Sequence, residues 1–158
     1  MIEKVEKGIK LYVKPKLVNE YLTLSTVARG YIGEQIALKL LEYKAVKQYI
    51  ARALGLADYR VVSVGKPGKP DFLILDKASG TVRAIAEVKT RFEVAEEAMK
   101  TLKKLIDLSV EEAKRHARDY SVDHVVVMAI VMTDRVEILG TEYLYRSLLQ
   151  YEIIELQD

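Results

Sequence analysis

The spacing of apolar residues changes several times along the chain. Before residue 25 the pattern is mixed, and the alternation of Ile9, Leu11 and Val13 with polar residues predicts a short strand or arm. From Ser25 onward the apolar residues recur at helical spacing, which predicts a first long helix carrying Ile32, Ile36, Leu40 and Leu41. A further set at this spacing either continues that helix or forms a second one: Val46, Ile50 and Leu54.

The middle of the chain contains short apolar runs bounded by turn residues, the pattern of β-strands. Strands are predicted at 59–64, 71–76 and 81–89. The continuous apolar centre of the second run is typical of a buried strand. Residues 77–80, with the sequence Lys-Ala-Ser-Gly, form a turn, so the second and third strands should pair as an antiparallel hairpin.

Two helices are predicted after this hairpin. The first covers residues 93–106, where apolar residues fall on one side. The segment Ser109-Val110-Glu111-Glu112 matches a capping box, which predicts that a new helix starts there and runs to about Tyr120.

The C-terminal part is predicted to contain two strands and a helix. The strongest strand signal lies at 123–132, and a turn at Thr133-Asp134 leads to a returning strand at 135–139. After Gly140 a last helix is predicted, with Leu144, Leu148 and Leu149 on its apolar side. The chain shows no internal repeat and no linker, so a single α/β domain over residues 1–158 is predicted.

Composition agrees with one compact domain and narrows its chemistry. Half of the 158 residues are hydrophobic and 30% are charged, which argues against disorder. The formal net charge is +2, so a nucleic-acid surface would have to be a local patch. The absence of cysteine excludes disulfides and cysteine-ligated zinc or iron–sulfur sites. Without a signal-peptide pattern or a membrane-length apolar run, a soluble, cytoplasmic protein with no membrane partner is expected.

The predicted hairpin brings three charged residues together. Asp71 begins one strand and Glu87 lies near the end of the next, so the two should meet at one end of the sheet. Lys89 should share the face of Glu87, whereas Val88 should point into the core. Two carboxylates can hold Mg²⁺ or Mn²⁺ through oxygen, and a neighbouring ammonium can stabilise a phosphoryl transition state. This combination suits phosphodiester hydrolysis.

These residues also carry a resemblance. Pro70-Asp71 followed after 15 residues by Glu87-Val88-Lys89 resembles the PD-(D/E)XK nuclease superfamily. The upstream sequence Arg29-Gly30-Tyr31-Ile32-Gly33-Glu34 is similar to the Arg-Gly-x-x-x-Glu opening of archaeal Holliday-junction resolvases. The likeness covers residues 27–139 and leaves 1–24 as an N-terminal extension.

The resemblance implies a restriction-endonuclease-like fold, in which a mixed sheet is flanked by helices. It implies a Mg²⁺- or Mn²⁺-dependent endonuclease of DNA recombination or repair, acting on DNA such as Holliday junctions, and a homodimer. Glu34, Asp71 and Glu87 would then be metal-site carboxylates, Val88 would offer its backbone carbonyl, and Lys89 would be the catalytic lysine.

Several basic residues are candidates for binding nucleic acid. They are Arg29, Arg91, Lys114, Arg115 and Arg118. The two histidines, His116 and His124, are not assigned to the site, because nothing in the sequence places them near Glu87. The apolar residues of the predicted last helix, including Tyr145, are candidates for a dimer interface.

Three other functions remain compatible with the sequence. One is a repair or restriction-like nuclease of the same superfamily that does not resolve junctions. Another is a non-catalytic DNA-binding subunit that keeps the nuclease fold. The last is an unrelated α/β binding module in which the motifs arise by chance.

Overall fold

The computed structural model describes the backbone of residues 2–156 and the side chains of residues 13–156. Within this range the strands are β1 Ile2–Val13, β2 Tyr59–Ser63, β3 Phe72–Asp76, β4 Val82–Glu93, β5 His124–Thr133, β6 Val136–Leu139 and β7 Glu142–Leu156. The α-helices are α1 Pro15–Thr23, α2 Thr26–Glu42, α3 Lys44–Ala53 and α4 Ala98–Tyr120, and a short 3₁₀ turn spans Ala95–Glu97.

The strands form one mixed sheet. Six of them follow the order β1-β7-β5-β4-β3-β2, and β6 pairs with the beginning of β7. Every pairing is antiparallel except that of β4 with β5. Parallel neighbours need a long crossover, and α4 provides it. The predicted single-domain α/β fold with a mixed sheet flanked by helices is therefore confirmed.

Helices cover both faces of the sheet. One apolar cluster packs α2 and α3, through residues such as Leu41 and Ile50, against one face. A second cluster packs α4, through residues such as Leu105, against the other face. Strand β5 lies between the two layers and is buried on both sides, which explains why its sequence is a continuous apolar run.

The segment preceding α2 is part of the fold. The predicted strand around residues 9–13 is confirmed as β1, which pairs along β7 from Ile2 to Val13. A short helix that the sequence pattern did not predict, α1, follows with Pro15 in its first turn and buries Val18 and Tyr21. Residues 1–24, predicted to be an extension, therefore contribute the edge strand of the sheet through residues 2–13.

The predicted last helix is wrong, because residues 142–156 form the long strand β7. Leu144, Leu148 and Leu149 happen to fit helical spacing, but β7 pairs with β1 at one edge and with β5 at the other. Such pairing between distant segments overrides a weak local pattern. Leu149 is buried in one core cluster, and the partly buried Leu148 packs against the other.

The two helices predicted after the hairpin are one continuous helix, α4. Ser109 is not a cap but a buried residue in the middle of this helix. The apolar stripe through Leu102, Leu105 and Ala113 runs past Ser109 without interruption, so packing against the sheet maintains the helix. The helix also starts later than predicted, since β4 extends to Glu93.

Candidate functional site

Asp71 and Glu87 meet at one end of the β3–β4 hairpin. Phe72 pairs with Ala86, which places Asp71, just before β3, next to Glu87. The backbone N–H of Val88 donates a hydrogen bond of 2.8 Å to Oδ2 of Asp71, and the Asp71 and Glu87 carboxyls are within hydrogen-bonding reach. Their predicted proximity is confirmed, while their catalytic role stays a prediction.

Glu34 joins this pair from helix α2, at the place suggested by the Arg-Gly-x-x-x-Glu resemblance. Its carboxyl is half-buried and within hydrogen-bonding reach of Asp71. The preceding residue, Gly33, packs so closely on β4 that a Cβ atom there would lie 1.8 Å from Oγ1 of Thr90. The missing side chain of Gly33 therefore lets α2 approach the sheet near enough for Glu34 to reach Asp71.

The three carboxyls interact unfavourably when all are ionised. Burial, followed by the nearby charges of Asp71 and Glu112, raises the pKa of Glu87 to about 9, and Lys89 opposes part of this shift. Burial and the neighbouring Asp71 carboxyl raise the pKa of Glu34 to about 7. Two of the three acids therefore hold protons well above the usual range of a glutamate, and a bound cation would favour their ionised forms.

Lys89 lies on the same side of β4 as Glu87, two residues further along the strand. Its ammonium Nζ is 2.5 Å from Oε2 of Glu112, a residue of α4. Val88 lies between them on the opposite face, where it packs against the cluster formed with α2 and α3. The predicted directions of Lys89 and Val88 are confirmed, but the ion pair with Glu112 was not foreseen.

His116 belongs to the site, contrary to the sequence analysis. Its Nδ1 atom is hydrogen-bonded to Oε1 of Glu87, which is 2% exposed. His116 follows Glu112 by four residues, so α4 presents both side chains to β4 on one face. That spacing was visible in the sequence, but which strand this face meets is decided by the β4–α4–β5 crossover. His124 lies elsewhere, at the start of β5, with Nδ1 2.8 Å from Oδ1 of Asp123.

The three carboxyls are donors of the type that a hard divalent cation accepts, and their joint role as its ligands stays a prediction. Glu34, Asp71 and Glu87 supply oxygen atoms from three different chain segments, and carboxylate oxygen is what Mg²⁺ and Mn²⁺ accept. In a strand the N–H and C=O of one residue point to the same side. Since the N–H of Val88 points to Asp71, its carbonyl points to the same edge of β4.

Comparison with known proteins does not assign this geometry to a family. No family model, curated protein or solved structure matches the chain. Among the described residues no helix is long and apolar enough to cross a membrane. Function is therefore inferred from the chemistry of the site.

Arg29 has a structural explanation in this fold. Its Nε donates a hydrogen bond of 2.9 Å to the carbonyl of Tyr21, and its Nη2 donates one of 2.7 Å to the carbonyl of Leu22. Its guanidinium also lies 5.3 Å from the centre of the Tyr21 ring. Arg29 thus caps the C-terminus of α1 and joins it to α2, and contact with phosphate stays a prediction for this residue.

The remaining basic candidates differ in their distance from the carboxyl cluster. Arg91 is exposed on the same side of β4 as Lys89. Arg115 follows Glu112 by three residues and lies next to it on α4. Lys114 and Arg118 lie about 200° and 240° around the helix axis from Glu112, on the side turned away from the site. Arg91 and Arg115 are therefore better placed than Lys114 and Arg118 to contact a substrate.

Proposed function

We propose that this protein is a metal-dependent endonuclease that hydrolyses phosphodiester bonds in structured DNA, such as Holliday junctions. The observation that carries the proposal is the convergence of Glu34, Asp71 and Glu87 from three chain segments, with Lys89 beside them. The succession of a helix, the β2–β3–β4 meander, helix α4 and strand β5 also agrees with the resemblance to PD-(D/E)XK nucleases.

Glu34, Asp71 and Glu87, with the Val88 carbonyl, would hold Mg²⁺ or Mn²⁺. The chemistry that such an ion supplies when bound is polarisation of the scissile phosphate and a lower pKa for water. The chain itself supplies orientation, because Val88 N–H fixes one oxygen of Asp71. Burial of Glu87 in turn keeps water from competing for its carboxylate.

Lys89 would stabilise the negative charge that develops on the phosphate oxygens in the transition state. An ammonium group in this position acts most strongly when its geometry is fixed before the reaction. Glu112 provides such a constraint, since its carboxylate holds the Lys89 ammonium beside the cluster. Glu112 is therefore proposed to act as a positioning residue.

The surroundings of the cluster offer basic side chains for the DNA backbone. The loop from 64 to 70, which leads directly into Asp71, exposes Lys66 and Lys69. Together with Arg91 and Arg115 they would form a local basic surface around the carboxyls. A net charge of only +2 is compatible with such binding, because the contacts depend on nearby cations rather than on the whole molecule.

The proposal is tested with a panel of labelled duplex, single-strand, flap and four-way-junction substrates, as both DNA and RNA. Each is incubated with Mg²⁺, Mn²⁺ or EDTA. We expect cleavage of a DNA substrate with either cation, no cleavage in EDTA, and loss of cleavage in Asp71→Asn. Glu111→Gln, a change at an exposed acid of α4, is the matched control and should cleave normally. Absence of cation-dependent cleavage of every substrate would refute the proposal.

A second candidate is a DNA-binding subunit without catalytic activity. The observation that favours it is that Lys89 and Glu87 are already paired, with Glu112 and His116 respectively. Such a cluster could stabilise the fold without a cation. This candidate predicts DNA binding that is unchanged by EDTA and by Asp71→Asn, and no cleavage under any of the conditions above.

A further inference from the structure

Glu87 faces a second group of potential ligands on helix α4. The nearest ligand atoms of Glu87, Glu112 and His116 all lie within 4.8 Å of one another. Glu87 is buried, and Glu112 and His116 are half-buried between α4 and β4. Neither Glu112 nor His116 belongs to the donor set proposed above for Mg²⁺ or Mn²⁺.

We infer that Glu87, Glu112 and His116 form a second cation site, which contains a nitrogen ligand and takes a transition metal such as Mn²⁺ in preference to Mg²⁺. The inference rests on the proposed function for its catalytic meaning, since Glu87 belongs to both donor sets. Its geometry, however, is independent of Glu34 and Asp71.

The donor types determine which ion this second site selects. Mg²⁺ strongly prefers oxygen ligands in an octahedral arrangement and gives up its water reluctantly. Imidazole nitrogen suits first-row transition metals, which bind mixed nitrogen and oxygen donors well. Replacing an oxygen donor by Nδ1 of His116 therefore shifts the preference of the site from Mg²⁺ to Mn²⁺.

The two donor sets can share Glu87 because a carboxylate has two oxygen atoms. Oε1 of Glu87 faces His116, and the same carboxyl is within reach of Asp71. Glu87 thus bridges the Asp71 side and the α4 side of the cluster. Its near-complete burial keeps the shared carboxylate itself out of contact with bulk water.

The second site would also control the position of Lys89. In the structure the Lys89 ammonium is the counter-charge of Glu112, at 2.5 Å. A cation bound by Glu112 would replace the ammonium as that counter-charge, so the positioning of Lys89 by Glu112 applies to the protein whose second site is empty.

The decisive experiment measures whether Mn²⁺ is bound by histidine nitrogen. The full chain is produced with ¹⁵N-labelled histidine and loaded with Mn²⁺ in the presence of excess Mg²⁺, and pulsed EPR records the coupling between the manganese and ¹⁵N. Two histidines occur in the chain, so one variant of each identifies the source. We expect the coupling in wild type and in His124→Gln, and its loss in His116→Gln.

Calorimetry provides the second readout. Wild type and Glu111→Gln should bind two equivalents of Mn²⁺, whereas His116→Gln and Glu112→Gln should each lose one. If wild type shows no ¹⁵N coupling, the inference is overturned, and this result does not depend on any variant folding. Mn²⁺-dependent cleavage without the coupling would preserve the proposed function and remove the second site. Coupling to ¹⁵N without cleavage of any substrate would preserve the second site and remove the proposed function.

Discussion

At the scale of single residues, the site contains more carboxyl groups than cationic side chains that could neutralise them. Four carboxyls make up the cluster: Glu34 and Glu87 lie beside Asp71, and Glu112 pairs with Lys89. Glu87 is the most deeply buried of them, and in its protonated form it can donate its hydrogen bond to Nδ1 of His116. Stability of the metal-free protein should therefore depend on the proton that Glu87 carries.

We predict that the metal-free protein loses stability as pH rises from about 5 to about 9. The folded-state pKa of Glu87, about 9, lies above the ordinary 4.5 of the unfolded chain. Between these values the folded state retains a proton that the unfolded state has released, so the free energy of unfolding falls with pH. Thermal unfolding in EDTA should show a loss of at least about 1 kcal/mol, or roughly 2–4 °C.

Glu87→Gln should be less sensitive to pH over the same range, because its side chain has no proton to lose. Mn²⁺ should raise the unfolding temperature of wild type most at the alkaline end, where Glu87 must otherwise carry an uncompensated charge. Glu111→Gln should behave like wild type. An identical pH slope in wild type and Glu87→Gln would contradict this account.

We also predict that alanine variants of the cluster fail in two different ways. Asp71→Ala and Glu87→Ala should reduce cleavage by at least about 100-fold and also weaken Mn²⁺ binding, because each removes a charged ligand. Lys89→Ala should reduce cleavage by a similar factor while Mn²⁺ binding persists, because it removes only a transition-state cation. Cleavage assays and calorimetry together distinguish the two classes, and equal metal affinity in all three variants would refute the assignment of ligands.

At the scale of elements, the site depends on how closely α2 and α4 approach β4. Helix α4 contributes Glu112 and His116 from one face, and α2 contributes Glu34 next to its contact through Gly33. Gly30 lies one turn earlier in α2, and a Cβ atom there would meet nothing within 4 Å. Position 33 therefore has no room for a side chain, whereas position 30 does.

We predict that Gly33→Ala destabilises the protein and weakens metal binding, whereas Gly30→Ala stabilises it. The added methyl at Gly33 would collide with Thr90 and push α2 outward, at a cost of about 1–3 kcal/mol. At Gly30 the change should improve helix propensity by about 0.5–1 kcal/mol. Denaturant unfolding measures both effects. Combining Gly33→Ala with Thr90→Ala should recover part of the loss, and equal effects of the two glycine changes would argue against the close contact.

At the scale of the whole molecule, the β6–β7 hairpin carries exposed apolar side chains. Ile138 pairs with Tyr143 across the hairpin, and both are more than half exposed. Val136, two residues before Ile138 on the same strand, is half exposed. These residues replace Leu148 and Leu149, which pack within the fold, as the candidate dimer interface. Two cuts related by symmetry, which a four-way junction requires, would follow from a two-fold dimer.

We predict that the protein is a homodimer whose dissociation is promoted by Ile138→Lys. A charge in the middle of an apolar contact should weaken association by at least tenfold, because its desolvation is not compensated. Light scattering over a range of concentrations measures the effect. Met99→Lys, a change at an exposed apolar residue of α4, is the control and should leave the dimer intact. A monomer at all concentrations of wild type would refute the prediction.

The sequence by itself determined the features that depend on neighbours along the chain. Helix α2 begins next to Ser25, where the pattern turned helical, and the turn at 77–80 joins β3 and β4 as a hairpin. From that hairpin followed the proximity of Asp71 and Glu87 and the opposite directions of Val88 and Lys89. Alternation along a strand and pairing across a tight turn are local rules, so the sequence alone was sufficient for them.

Only the tertiary structure decided the features that depend on distant segments. Residues 142–156 form a strand because β1 and β5 flank them, although their leucines also fit helical spacing. Ser109 stays within α4 because the helix packs against the sheet on both sides of that residue. His116 meets Glu87 because the crossover from β4 to β5 lays one face of α4 over the strand. In each case the deciding energy comes from packing between segments far apart in sequence, which no local pattern records.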